Sequence, residues 1–334
     1  MAGNPQGLNA TVNTVHSATP LSDLTLAYRP SGGIADRIWP VKPVQHESDI
    51  YYKWNKGQRF RVVRADGQGT LIADKSPAKV RNFGFTTDSY KTQRYGAAES
   101  VSDRERANAD AALSLEQSKL IGIQDEVMLD YEIRVATAVQ AAANYAAANK
   151  DTLAGANQWN SASFTSLNTT GAGHSQIYTN LLTAKQSILT SANRMPNTIV
   201  IPFQVAMVVV NDPGLADMEK FTLNRLLAGD VLQDGGMFFG MRVLIPSITF
   251  QTTAEGEADS LGFVWGKNVI LAYVDPAPGL NSLTFGLTFR VGGGFGIRSW
   301  REERTMETFY EASINQTEKL VSADCAYLIS AAIA

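Results

Sequence analysis

The chain has 334 residues, 44% of them hydrophobic and 18% charged, a balance that specifies a folded protein rather than a disordered one. Its formal net charge of −3 argues against a surface devoted to polyanions, and its one cysteine, Cys325, excludes an intrachain disulfide and any CxxC site. His16, His46 and His174 are too scattered to suggest a metal, no apolar run approaches the roughly 18 residues of a membrane span, and the N-terminus lacks the basic and apolar regions of a signal peptide.

Residues 1 to about 35 are small and polar and read as an extended arm with little core of its own. Pro40 and Pro43 then keep "IADRIWPVKPV" extended and block helix. From 51 to 95 the pattern is a long β-hairpin: Phe60 and Val62 alternate with Arg59, Arg61 and Arg64, and Phe83 and Phe85 alternate again beyond the tip. So few apolar residues cannot cover both faces, and such a hairpin must lie on something else. Ser102 opens a long helix, with Glu105 placed to complete a capping box. Leu120, Ile123, Val127, Tyr131, Val135, Ala138, Ala142 and Tyr145 mark one face of it as far as Asn149, with Gly122 a point where it could split.

After a polar loop from Gly155 to Gly173, a second helix is expected from about Ser175 to Asn193. Short alternating pieces follow, among them "NTIVI", the apolar segment Phe203–Val210, a helical stretch Leu223–Leu232, "RVLIP" and "VILAYV", which suggest an α/β region over roughly 172–276. The last segment is β-rich: Leu283, Phe285, Leu287 and Phe289 alternate with polar or small residues, and "EKLV" and "AYLI" are expected closing strands.

Candidate chemistry is sparse. In "RVGGGFGIRSW" the glycines Gly292, Gly293, Gly294 and Gly296 invite comparison with a phosphate loop. Their spacing does not match G-x-G-x-x-G, and strand-like sequence follows where a helix is needed, so a structural bend or bulge is expected. "GFVWGKN" ends like a Walker loop but is one residue short, has Asn268 where Ser or Thr belongs, and precedes a strand. Glu302–Glu303 and the loop acids Glu255, Glu257 and Asp259 read as solvated rather than catalytic, and His174 as a residue near a helix cap. No catalytic residue, cofactor site or metal site is assigned, and no enzyme is expected.

The charges carry more information. Lys53 to Arg94 holds ten Lys or Arg against three Asp or Glu, whereas Glu99 to Glu132 holds nine acids against three bases. A basic hairpin joined by a short link to an acidic helix cannot easily fold back along it, but it can reach the helix of a neighbour, where opposite fields steer association. The candidate assembly residues are Arg59, Arg61, Arg64, Lys75, Lys79 and Arg81 on the loop, and Glu116, Asp125, Glu126 and Asp130 on the helix. Two solvated surfaces, or a nucleic-acid contact by the hairpin, are the other readings of the same charges.

This order of parts resembles the major capsid proteins of tailed double-stranded DNA bacteriophages, which have the Hong Kong 97-like fold. The residues that carry the resemblance are Leu21, Ala27, Tyr28, Ile34, Ala35, Asp36, Pro40, Pro43, Val44, Tyr52 and Trp54, followed in order by the strands "VWGKNVILAYV" and "LTFGLTFR". The resemblance implies an α+β chain divided into an N-terminal arm (1–50), an extended loop (51–98), a peripheral domain with a spine helix (99–171), an axial domain (172–276) and C-terminal peripheral strands (277–334). It implies a structural protein that self-assembles into the hexamers and pentamers of an icosahedral head, built in the host cytoplasm around DNA that it contacts unspecifically. It allows for a portal, decoration proteins and a scaffold supplied as a separate protein, and it implies no membrane partner. An encapsulin-type shell would share this fold, and an enzyme that holds a phosphorylated ligand at Gly292–Gly296 is the reading farthest from it.

Overall fold

The computed structural model is an α+β fold and describes residues 32–54, 70–72, 74–78, 85–108, 115–161, 176–212, 215, 234–254, 256–279 and 283–334. The first described element is a short helix, α1 (Ala35–Ile38), where the prolines had suggested extended chain throughout. Pro40 forbids helix only from the residue before it onward, and the helix ends at Ile38 in keeping with that. The chain then extends as β1 (Val41–Val44) and β2 (Ser48–Trp54). β2 pairs antiparallel with β3 (Phe85–Lys91) from Ser48 opposite Lys91 to Trp54 opposite Phe85, and β4 (Gln93–Ser102) follows directly.

Helix formation begins where the capping box predicts it. The Glu105 backbone N–H donates to Ser102 Oγ and the Ser102 N–H donates to Glu105 Oε2, both at 3.1 Å, which starts α2 (Asp103–Asn108). The main helix, α3 (Leu115–Gln140), runs through Gly122 without a break and buries Leu120, Ile123, Val127, Tyr131, Val135 and Val139 on one stripe. It stops well before Asn149, which corrects the expected length. At its end Asn144 Nδ2 donates to the Ala138 carbonyl at 2.7 Å, and the Tyr145 hydroxyl donates to that of Val139 at 2.6 Å. Those carbonyls are thereby satisfied without another helical turn, and the alanine-rich segment becomes two 3₁₀ turns, Ala142–Asn144 and Ala147–Asn149.

Two sheets organise the rest. The six-stranded sheet has the order β5-β14-β11-β6-β8-β7, from β5 (Lys150–Thr152), β14 (Ala326–Ser330), β11 (Val269–Ala272), β6 (Thr198–Val200), β8 (Met241–Leu244) and β7 (Met237–Phe238). α4 (Gln176–Ala192) and α5 (Phe203–Val210) pack into the core around it. β14 pairs along all of β11, so the last strand joins the sheet of the 172–276 segment and not the strands that precede it in sequence. The expected helix Leu223–Leu232 lies outside the described residues.

The four-stranded sheet has the order β1-β12-β13-β4, dominated by β12 (Gly286–Glu302) and β13 (Glu307–Leu320). Near the start of β12 a Cβ on Gly286 would lie 2.4 Å from the Trp39 ring, so only glycine permits that approach. The ladder between β12 and β13 shifts register between Val291 and Gly296: Gly292–Phe295 stand opposite Ile314 alone. Gly292 and Gly293 take φ of +80° and +78°, the left-handed region that glycine occupies without strain. α3 joins the two sheets. Leu120 and Ile123 pack on Val101, Tyr310 and Ala312 of the four-stranded sheet, while Tyr131, Val135, Ala136 and Val139 enter the core of the six-stranded one. A separate hairpin, β9 (Thr249–Gln251) with β10 (Leu261–Phe263), stands beside these layers.

Candidate assembly surface

The surface in question is built from the β2–β3 hairpin, α3 and the long β12–β13 ladder. The hairpin is held at its base by aromatic packing. Tyr90 stacks on Phe289 at 4.4 Å between centroids, and Tyr51 lies 5.3 Å from the same ring. The Tyr51 hydroxyl donates to Asp88 Oδ2 at 2.9 Å, and Lys53 Nζ reaches the same oxygen at 2.6 Å. Burial, reinforced by the Asp88 carboxylate, raises the Tyr51 pKa, so that hydroxyl stays protonated. The hydrogen bond from Lys53 pulls Asp88 down to about 2. The opposite side of the hairpin presents Ile50 and Tyr52 to solvent. Of the loop cations, Lys75 is exposed, while Arg59, Arg61, Arg64, Lys79 and Arg81 lie outside the described residues.

The acidic helix is less bare than its sequence suggests. Glu116 is paired with Arg106 at 2.8 Å, and Asp130 with Arg134 one turn along the same helix. Arg134 also bonds Glu318 at 3.1 Å and lies 3.6 Å over the Tyr95 ring. Lys119 sits between Glu99 at 3.3 Å and Glu105 at 3.5 Å. Arg301 grips Asp103 with two hydrogen bonds, 2.9 and 2.7 Å, which hold that carboxyl below its usual range. Asp125 is half-buried and Glu126 is exposed. The chain's own cations thus answer much of the helix charge, and the exposed end of that field falls at Glu126.

One carboxylate on α3 was missed. Glu132 is buried and accepts from the backbone N–H groups of Ile34 and Ala35, both at 2.9 Å, and from Trp265 Nε1 at 2.7 Å. Burial raises its pKa against the pull of those three donors. It clasps the chain where the arm enters the fold, and it supplies acceptors for N–H groups at the start of α1. Its signal was available: Glu132 lies among Tyr131, Val135 and Ala136 on the apolar stripe, where an acid requires partners.

The glycine run forms the register shift of β12. Gly292 and Gly293 have open space where a side chain would go, and they lie within one strand rather than ahead of a helix. The "GFVWGKN" segment is a turn between β10 and β11, with Asn268 Nδ2 donating to Gln140 Oε1 at 3.1 Å and Asn268 Oδ1 accepting from Ala331 N–H at 3.0 Å. No group of metal-ligating side chains occurs among the described residues.

No protein-family model matches the chain. It is 25% identical over 303 residues to the major capsid protein of Pseudomonas phage JBD67, covering 87% of this chain and 91% of that protein. It is 23% identical over 316 residues to the major capsid protein of Burkholderia phage BcepMu, covering 93% and 94%. Among solved structures, a phage-related protein of Bordetella bronchiseptica superimposes with a TM-score of 0.69 at 22% identity, over 94% of this chain and 96% of that one. The capsid of cyanophage P-SCSP1u does so with a TM-score of 0.58 at 12% identity, over 91% and 89%. Sequence relationship along nearly the whole chain and likeness of fold agree: this chain is a homologue of phage major capsid proteins and has the Hong Kong 97-like capsid fold.

Proposed function

We propose that the protein is the major capsid protein of a tailed double-stranded DNA phage and assembles as hexamers and pentamers into an icosahedral head. The observation that supports this most is extent: the relationship to phage major capsid proteins covers 87–93% of this chain and 91–94% of those proteins. On this reading residues 1–50 are the arm and 51–98 the extended loop. α2 and α3 with β12 and β13 form the peripheral domain, and the six-stranded sheet, now including β14, forms the axial domain. Heterologous contacts close such subunits into rings. The loop cations Arg59, Arg61, Arg64, Lys75, Lys79 and Arg81 meet Glu116, Asp125, Glu126 and Asp130 on the helix of the next subunit. A portal, decoration proteins and a scaffold are further partners, and packaged DNA is held by unspecific backbone attraction.

Electron microscopy of the purified protein tests the reading. Closed particles are expected; a monomer at every concentration would overturn it, and particles filled with an enzyme instead of DNA would assign it to encapsulin-type shells. Reversal of Arg61 and Arg64 to Glu is expected to block particles while leaving a folded subunit. Normal particle yield from that variant would remove the loop-to-helix contact.

A further inference from the structure

Among the described residues, the face of the four-stranded sheet turned away from α3 is covered along only half its length. Tyr51 and Tyr90 of the β2–β3 hairpin pack on Leu287 and Phe289, and the Glu47 carboxylate accepts from Asn315 Nδ2 at 2.9 Å at the hairpin base. The Tyr51 hydroxyl lies 3.4 Å from the Leu320 carbonyl, so from that base the hairpin runs toward Leu320 and away from the distal ladder. Cross-strand pairing puts Arg298 beside Glu311, Trp300 beside Phe309 and Gly296 beside Ser313 on the remaining half, with Gly96 and Ala98 on β4.

That distal half has the chemistry of a contact surface. Trp300 is 40% exposed and stacks on Phe309 at 5.3 Å, and the Arg298 guanidinium lies 5.3 Å over the Trp300 ring. Glu311 lies between two half-exposed arginines, Arg94 and Arg298, the latter at 2.6 Å. Two guanidiniums meet one carboxylate on this side of the aromatic pair, while Glu302 and Glu307, paired across the strands, stand on the same face beyond it. The small residues Gly96, Ala98, Gly296 and Ser313 make the face shallow. Arginine and tryptophan are the residue types most enriched at interface hot spots.

The same chain carries a complementary shape. On β10, Leu261 is 72% exposed and Phe263 39%, and strand alternation puts both on one side of the hairpin. Asp259 continues that side and accepts from Gln251 Nε2 at 2.9 Å, and Glu257 is exposed in the turn. The β9–β10 hairpin therefore presents two apolar side chains of β10 beside Thr249 and Gln251 of β9, and it is acidic at its end. The open sheet face is aromatic in its middle, with the arginines on one side of the rings and Glu302 and Glu307 on the other.

We propose that the β9–β10 hairpin of one subunit docks on the open distal face of the β12–β13–β4 sheet of another. Leu261 and Phe263 lie against Trp300 and Phe309, and Glu257 and Asp259 lie against Arg94 and Arg298. The occupant is a second copy of this chain because the charge and the apolar complement are both present on it. The contact joins two different patches, so it propagates around a ring rather than closing a dimer. It rests on the assembly reading above.

Cysteine pairing tests it. Cys325 is buried and does not compete. Leu261→Cys and Trp300→Cys subunits, coexpressed and assembled, are expected to give disulfide-linked dimers that contain one chain of each kind. Dimers of Trp300→Cys with itself, or none in well-formed particles, would overturn the contact. A second arm uses charge: Glu257→Lys with Asp259→Lys is expected to lower particle yield at least tenfold, and adding Arg94→Glu with Arg298→Glu to restore it. Unchanged yield in the first variant, or DNA quenching Trp300 in the absence of the cross-link, would also overturn it. Unmodified protein that forms no particles removes the assembly reading and this contact together, whereas particles without the cross-link remove the contact alone.

Discussion

The two sheets solve opposite problems. In the six-stranded sheet every residue of β11, Val269 to Ala272, is 0% exposed, and the strand reads as an unbroken apolar run because both its faces are covered. In the four-stranded sheet the distal part of β12 alternates between contact with α3 and solvent: Phe295 and Ile297 join a small core on the helix side, and ion pairs hold the outer side. The first region supplies the stability of a free subunit. The second is held in shape mainly through α3, and on the docking proposal its open face is the one that meets a neighbour. A subunit that must persist alone and then join many copies gains from keeping these roles apart, since a substitution in one region need not disturb the other.

The sharpest way to break this contrast is to empty the first region. Leu271→Ala is expected to cost about 2–5 kcal/mol in denaturant unfolding of the dissociated subunit. Glu132→Gln comes next, at about 1–3 kcal/mol, because a carboxamide has one oxygen to offer three N–H donors. Its pH dependence has a definite sign. Burial raises the folded-state pKa, so the folded protein binds the proton more tightly than the unfolded chain does. Stability therefore falls as pH rises from the ordinary glutamate range through the raised value. The advantage of the native protein over Glu132→Gln should shrink across that window, and unfolding curves measured at stepped pH would show it.

Gly293→Val is expected to cost about 1–2 kcal/mol in the same assay, the penalty of a side chain at positive φ, with no steric clash to add. A smaller effect should appear at the hairpin base. Asp88 is lowered to about 2, so its link to Lys53 and Tyr51 is present above the ordinary aspartate range and is lost as pH falls toward 2. Pepsin cleavage within 48–91 should rise over that interval, and Asp88→Asn should abolish the rise. Smallest of all, Trp300→Ala should change subunit stability by less than about 1 kcal/mol, as expected for a partly exposed side chain. If it unfolds the subunit instead, the recognition surface is also a core and the contrast between the sheets fails.

Much of this organisation was legible in the sequence where local rules decide. The Ser102–Glu105 box and the α3 stripe follow from spacing alone, and the matching observations need no distant residue. Where long-range contacts decide, the sequence was silent or misleading. The end of α3 depends on Gln140 accepting from the Gly266 N–H at 3.0 Å, and on bonds from Asn144 and Tyr145, which overrule the helix propensity of the alanines. The place of β14 beside β11 is a pairing of strands far apart in sequence. The acidic helix was legible as a charge count, but not as a set of pairs with Arg106, Lys119 and Arg134. Only the Asp130–Arg134 spacing announced itself.

The glycine-bearing shift in β12 has a consequence in parity. Four residues opposite one is an excess of three, an odd number. Before the shift the odd-numbered Leu287 and Phe289 face the hairpin, while Thr288 bonds Tyr131 on α3. Beyond it the odd-numbered Phe295 and Ile297 face α3, and the even-numbered Arg298 and Trp300 point outward. An excess of two would turn the same sequence inside out, presenting isoleucine to solvent and arginine to the helix. The glycines thus work as a phase inverter: their number, as much as their flexibility, decides which half of the alphabet written into β12 is read by α3 and which half is left facing outward.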